Sequence, residues 1–166
     1  MQKLIISNVN DVEYKDIYLN EIFDPSGKHK QSFEFKNSSV NHPFTEGGGK
    51  LSVSFYILQP GKASYPYHYH KGNEEVFYII SGQGTLKTNE GDRTISEGDI
   101  IIMPANENGA HMLINTSSLP LTYVDIHTIS QPEVVVYPET EKIMIMAGDI
   151  KKSFKLDSAV NYLEGE

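Results

Sequence analysis

Punctuation is what most constrains this chain. Pro60-Gly61, Ser81-Gly82-Gln83-Gly84, Asn89-Glu90-Gly91-Asp92, Glu97-Gly98-Asp99, Pro104, Pro120, Pro132 and Pro138 cut it into short β-prone runs, which leaves little room for helices. Leu51, Val53, Phe55 and Ile57 alternate with Ser52, Ser54 and Tyr56, the period of a strand that buries one face. Residues 76–80 are apolar or aromatic on both sides, as in the wall of a sandwich or barrel. Residues 85–88 and 93–96 flank a turn whose Gly91 can take positive φ, which predicts a hairpin. Residues 100–103, 111–115 and 121–126 supply further strands, and 134–137 with 142–146 predict another hairpin around Pro138. The predicted class is all-β. The first forty-odd residues are less regular, with a turn at Asp24-Pro25-Ser26-Gly27 and a flexible Gly47-Gly48-Gly49 entry to the first clear strand. Near the other end, Asp157 is expected to cap a short helix running through Leu163.

Size and composition narrow the function classes. At 166 residues and 18.6 kDa the chain is expected to form one domain, 1–166, with its core at about 50–130. It has no cysteine, so disulfides, thiolate zinc sites, iron–sulfur clusters and cysteine nucleophiles are excluded, and any metal must be held by nitrogen and oxygen. The net charge is -8 and Arg93 is the single arginine, which argues against a nucleic-acid partner, since a phosphate backbone calls for a concentrated basic face. Apolar runs fall far short of the roughly 20 residues of a membrane span, and 1–10 lacks the pattern of a secretory signal. The expected location is cytoplasmic, with no membrane partner.

Four side chains carry the chemistry: His68, His70, Glu75 and His111. Residues two apart in a strand project from one face, so His68 and His70 can aim both imidazoles at one spot, with Tyr67 and Tyr69 facing away. The turn Lys71-Gly72-Asn73-Glu74 can then bring Glu75 beside them, and a returning antiparallel strand can bring His111 opposite. Three imidazoles and one carboxylate suit one divalent transition metal, Mn, Fe, Co, Ni, Cu or Zn. His29 and His42 lie in polar, loop-like stretches and read as solvated side chains.

The spacing resembles that of the cupin superfamily. Residues 61–82 are similar to its first motif: a glycine, His68-x-His70, four residues, Glu75, six residues and Gly82. Residues 98–115 look like the second, with Gly98, Pro104, His111 and Asn115, and the 15 residues between Gly82 and Gly98 match the short connection of compact bacterial cupins. Gly61 stands one residue further from His68 than the family pattern has it, and Pro104 two further from His111. The tail, including Val136-Tyr137-Pro138-Glu139 and residues 161–166, resembles uncharacterised single-domain bacterial cupins. The resemblance implies a conical antiparallel β-barrel, a double-stranded β-helix, with an irregular N-terminal extension and a short C-terminal tail. It also implies a metal inside, on His68, His70, Glu75 and His111, and frequent dimerisation.

Around that tetrad, Tyr123, Asp125 and His127 follow one another at period two and are expected to line the cavity, Asp125 and His127 as candidate acid/base groups. Phe77, on the same face as Glu75, is a pocket candidate, and Glu107 and Asn108 are rim candidates in the enlarged loop after Pro104. Tyr65, Tyr67 and Tyr69 read as a stripe facing away from the histidine pair, packed on another sheet or subunit. The apolar segments 134–137 and 143–146 predict a homodimer. The expected ligand is a small oxygen-rich molecule, such as a carbohydrate or hydroxy-ketone, because bidentate carboxylate or phosphate capture usually uses arginine and Arg93 lies on a hairpin away from the tetrad. Isomerisation, decarboxylation and dioxygenation are all compatible with such a centre. Two alternatives stand beside this reading: a non-catalytic metal-dependent binding or sensing module, and a metal-free acid/base enzyme resembling a sugar epimerase.

Overall fold

The computed structural model of the chain describes residues 6, 8, 10–11, 13–19, 33–39 and 49–166. Strands in chain order are β1 (Lys15–Tyr18), β2 (Glu34–Ser39), β3 (Leu51–Leu58), β4 (Tyr69–His70), β5 (Glu75–Ser81), β6 (Gln83–Thr88) and β7 (Gly91–Ser96). They continue with β8 (Ile100–Met103), β9 (His111–Ile114), β10 (Leu121–Thr128), β11 (Glu133–Tyr137), β12 (Lys142–Ala147) and β13 (Ile150–Lys155). One sheet runs β1-β2-β3-β10-β5-β8, a second β7-β6-β9 and a third β13-β12-β11-β4, with every strand pairing antiparallel. The all-β class is therefore observed. His29, His42 and the turn at 24–27 lie outside the described residues, as do two of the three glycines at 47–49. Among the described residues no helix is long and apolar enough to cross a membrane.

Strand alternation builds the interior in layers. Tyr123 of β10 lies opposite Tyr56 of β3 and Ile79 of β5, Asp125 opposite Ser54 and Phe77, and His127 opposite Ser52 and Glu75. Every second residue faces inward, and each inward row changes from apolar to polar in the same direction. It does so from Leu58 to Ser52 on β3, Ile79 to Glu75 on β5, Leu121 to His127 on β10 and Leu113 to His111 on β9. Leu58, Ile79, Leu86, Ile95, Leu113 and Leu121 fill one end, and the titratable groups gather at the other.

Two local details are added by the structure and one expectation is corrected. On β3 the buried face is Ser52, Ser54, Tyr56 and Leu58, while Val53, Phe55 and Ile57 face outward and are only half-covered. Register with β10 decides this, because the polar serines are needed opposite Asp125 and His127. The weakly patterned N-terminal stretch supplies β1 and β2, which extend the large sheet at its edge. No helix runs from Asp157 to Leu163; a single 3-10 turn, Leu156–Ser158, is followed by turns, since nothing packs on the exposed apolar side chains that would stabilise one.

Candidate metal centre

His68 and His111 are held face to face by the backbone. They form an antiparallel bridge, with the His68 N–H donating to the His111 carbonyl at 3.1 Å and the His111 N–H to the His68 carbonyl at 2.9 Å. Their ring centroids lie 4.7 Å apart, and His70, two residues along the chain, brings its ring to 5.1 Å from His68. Glu75 opens β5 and points inward, its Oε2 3.4 Å from His111 Nε2 and 3.6 Å from His70 Nε2. Ligand atoms of His68, His70 and Glu75 lie mutually within 4.8 Å, and so do those of Glu75, Asp125 and His127. The structure thus brings His68, His70, Glu75, His111, Asp125 and His127 into one cluster that shares Glu75.

Hydrogen bonding sets which ring nitrogens are free. His68 Nδ1 lies 2.7 Å from the Pro66 carbonyl and His111 Nδ1 2.9 Å from the Gly109 carbonyl. A carbonyl only accepts, so both Nδ1 atoms carry the proton and both Nε2 atoms present a lone pair. The His111 lone pair then faces the Glu75 carboxyl, whose buried Oε2 has no hydrogen-bond partner. Two electron pairs at that distance in a dry site call for a proton or a cation between them.

Burial pushes the Glu75 carboxyl up to about 8, with Asp125 and Glu133 adding to the rise against the pull of His127. It pushes the imidazoles the other way. His70 falls to about 4 through burial and the neighbouring His111 and His127, His68 is held far below the usual range, and His111 is lowered by burial despite the Gly109 carbonyl. Neutral imidazoles are the form that binds metal. His127 behaves differently: burial opposes its charging, yet the hydrogen bond and charge of Asp125, 3.1 Å from Nδ1, together with Glu75, outweigh that and raise its pKa. The cluster opens on this side, where the His127 side chain is 28% exposed against 4% for His111.

Aromatic rings line the remainder. Phe77 meets His111 edge-on at 5.4 Å and Tyr123 at 4.9 Å, and Tyr123 stacks on Tyr56 at 4.9 Å with its hydroxyl bonded to Ser64. The tyrosine stripe does not stay together. Tyr65 packs on His68 and Phe35 and shares a hydroxyl hydrogen bond with Tyr56, while Tyr67 and Tyr69 carry Lys87 and Lys71 over their outer faces. Pro66 breaks the alternation, so strand parity cannot be carried back to Tyr65. Glu107 and Asn108 lie beside β4, the strand that carries His70, at the edge of the cluster. They form an exposed 3-10 turn hydrogen-bonded to Asn89, and it is the buried Gly109 that touches the site. A surface hollow lined by Gly82, Gln83, Ser96, Glu97 and Ser117 lies at the opposite end of β6 from Thr88, the partner of His111, and takes no part. Two participants escape the sequence reading: Tyr65, and Glu133, which contacts His70 from β11.

Residues 54–127 match the family model described as a cupin domain. That segment, under half of the chain, is similar to a cupin domain. The chain's antiparallel all-β sheets fit the double-stranded β-helix that a cupin fold implies. A solved structure provisionally named as a sugar phosphate isomerase, from Acidithiobacillus ferrooxidans, is 25% identical and superposes over 77% of this chain and 80% of its own with a TM-score of 0.69. Another, described as a sugar phosphate isomerase of the cupin superfamily from Silicibacter pomeroyi, covers 94% of this chain and 96% of its own at a TM-score of 0.71; at 20% identity it speaks for the fold alone. An oxalate-binding protein from Thermotoga maritima is 32% identical over 69 residues, 42% of this chain and 54% of the relative. The chain thus spans about half the length of that curated relative.

Proposed function

We propose that this protein binds one divalent transition ion through His68, His70, Glu75 and His111, and acts on a small hydroxyl- or carbonyl-bearing molecule at the ion's remaining positions. The observation that carries this reading is the unpartnered Glu75 Oε2 set 3.4 Å from an imidazole lone pair, an arrangement a cation would satisfy. A donor set of three nitrogens and one oxygen suits Mn, Fe, Co, Ni, Cu or Zn. When bound, such an ion polarises a ligand's carbonyl or alcohol oxygen. Asp125 holds Nδ1 of His127 and so leaves Nε2 as the atom that takes or gives a proton at the cluster's open side. A pure binder has no need of that pair, which favours an enzyme.

The surroundings support a neutral or weakly anionic guest. Three buried acids, Glu75, Asp125 and Glu133, stand around the site. Arg93 pairs with Glu90 on the exposed hairpin, and Lys62 pairs with Glu34 at 2.7 Å. Tyr56, Tyr65 and Tyr123 have hydroxyl pKa values raised by burial, so they stay protonated at neutral pH. The name of the Acidithiobacillus ferrooxidans neighbour points to phosphorylated sugars and that of the curated relative to oxalate, which makes a direct comparison informative. Crystals of metal-loaded protein soaked with a neutral hydroxy-ketone, a sugar or oxalate are expected to show the hydroxylated ligands beside the ion. Tight oxalate binding with neither neutral ligand bound would overturn the substrate class.

Metal-stripped protein should show the electrostatics directly. Glu75 has a folded pKa above its unfolded value, so its contribution to stability is complete below about pH 4.5 and is lost as pH rises through about 8. His127, also raised, acts in the same direction, whereas the lowered His70 adds stability only as pH climbs from about 4 to 6.5. Urea unfolding of the stripped protein should therefore give a stability that falls between pH 6.5 and 8, and ion binding at pH 7 should release a proton. A flat profile would mean that Glu75 ionises freely in the empty site.

The same proposal includes a homodimer. Apart from the buried Val135, segments 134–137 and 143–146 are half-covered within the chain, whereas β13, an edge strand, and the residues after it expose Ile150, Phe154, Leu156, Val160 and Leu163. An exposed apolar edge is a template for pairing, and a second copy offers the matching edge. Light scattering is expected to give twice the 18.6 kDa of one chain. The monomer mass at high concentration would remove the dimer.

A further inference from the structure

We infer that Glu133 is the positioning residue for His70, its buried carboxylate facing Nδ1 so that Nε2 is the nitrogen presented to the ion. This rests on the metal-site reading above.

The three imidazoles do not have equivalent support. His68 and His111 each give Nδ1–H to the carbonyl two residues earlier, Pro66 and Gly109. For His70 the corresponding carbonyl belongs to His68, and it already accepts the His111 N–H at 2.9 Å. His70 Nδ1 is consequently buried without a hydrogen-bond partner. The nearest acidic oxygen is Glu133 Oε1 at 3.5 Å, ion-pair distance and longer than a hydrogen bond.

Glu133 is built into this position. It opens β11, whose Val135 pairs directly with His70 on β4, and residues two apart share a face. It is 1% exposed, with Oε1 accepting the N–H groups of Lys71 at 3.1 Å and Gly72 at 3.2 Å. Its Oε2 has no partner. Gly72 makes room for it, since a Cβ there would lie 2.8 Å from Oε2. Ser130 fixes the same turn from the same segment, its N–H bonding Asn73 Oδ1 at 2.7 Å and its hydroxyl the Gly72 carbonyl at 3.0 Å. A buried nitrogen without a partner thus stands beside a buried carboxylate that holds two backbone N–H groups on the facing oxygen and keeps its other oxygen unpartnered, behind one candidate ligand. An ion on Nε2 makes Nδ1 the protonated nitrogen, and the carboxylate is the acceptor waiting for it. Such outer partners orient a ligating ring and raise its basicity, and losing one typically weakens metal binding about 10–100-fold. The matched cupin segment ends at residue 127, so Glu133 lies beyond it.

Glu133→Gln tests this, because Gln keeps the size and an oxygen for Lys71 and Gly72 while removing the charge. Zinc affinity is measured by competition with a chromophoric chelator, beside thermal unfolding of both metal-stripped proteins. The expected result is zinc binding weakened about 10–100-fold with little change in the unfolding of the stripped protein. Equal zinc affinity in the two proteins overturns the role of Glu133 and leaves the metal site standing. Wild-type protein that takes up no zinc overturns the metal-site reading itself. Should the variant not fold, long-range proton–nitrogen spectra of zinc-loaded wild-type protein decide alone. A protonated, hydrogen-bonded His70 Nδ1 is expected, and a His70 protonated on Nε2 contradicts the proposal.

Discussion

His70→Ala and Glu75→Gln are each expected to strip the protein of its ion, weakening affinity by at least about 100-fold, beyond what loss of an outer partner produces. Each removes a donor from a cluster in which Glu75 Oε2 sits within 3.6 Å of two imidazole Nε2 atoms. Elemental analysis of protein purified without chelators or a nickel-leaching tag reads the result. Glu107→Gln, on the exposed turn, should keep full metal content. So should His127→Asn, and this variant is the sharper comparison, because Glu75 also stands within ligand distance of Asp125 and His127. Loss of metal in His127→Asn with retention in His70→Ala would move the ion to the other side of Glu75. Unchanged stoichiometry in all four proteins would dismiss the ligand set.

Gly109→Ala is expected to destabilise the fold by about 3 kcal/mol, the upper range for forcing atoms into a packed site. A Cβ at 109 would come within 2.1 Å of the Pro104 carbonyl oxygen and 3.1 Å of the Pro104 nitrogen, both backbone atoms that cannot swing aside. For a domain of this size the midpoint should fall by roughly 10 °C. The effect should reach the site as well, since the Gly109 carbonyl fixes the protonated nitrogen of His111 at 2.9 Å. Thermal unfolding with and without zinc measures both. A midpoint within a degree or two of wild type would show that the loop after Pro104 yields easily and does not hold His111 in place.

Much of this geometry is legible in the chain because its cause is local. A period of two along β10 places Tyr123, Asp125 and His127 on one face, and register with β5 sets His127 opposite Glu75. The hairpin of β6 and β7 follows from a glycine at φ +108 after Asn89-Glu90. What escapes the sequence depends on contacts between distant segments. Glu133 lies 61 positions from Gly72, and no spacing rule connects a strand opener to a turn so far upstream. Hydropathy misplaces the buried face of β3, because that face is chosen by pairing with β10 and not by the strand's own pattern. Tyr65 follows neither parity, as Pro66 separates it from the His68–His70 pair. Strands β1, β2 and β13 carry weak alternation and gain their form from the edges they join.

One ion is expected to sit among His68, His70, Glu75 and His111. Diffraction from crystals grown with zinc, measured on either side of the zinc absorption edge, tests it most directly. A single strong anomalous peak is expected, bounded by the three histidine Nε2 atoms and the Glu75 carboxylate. A peak on Asp125 and His127 alone, or none inside the sheets of a protein saturated with zinc, would contradict it.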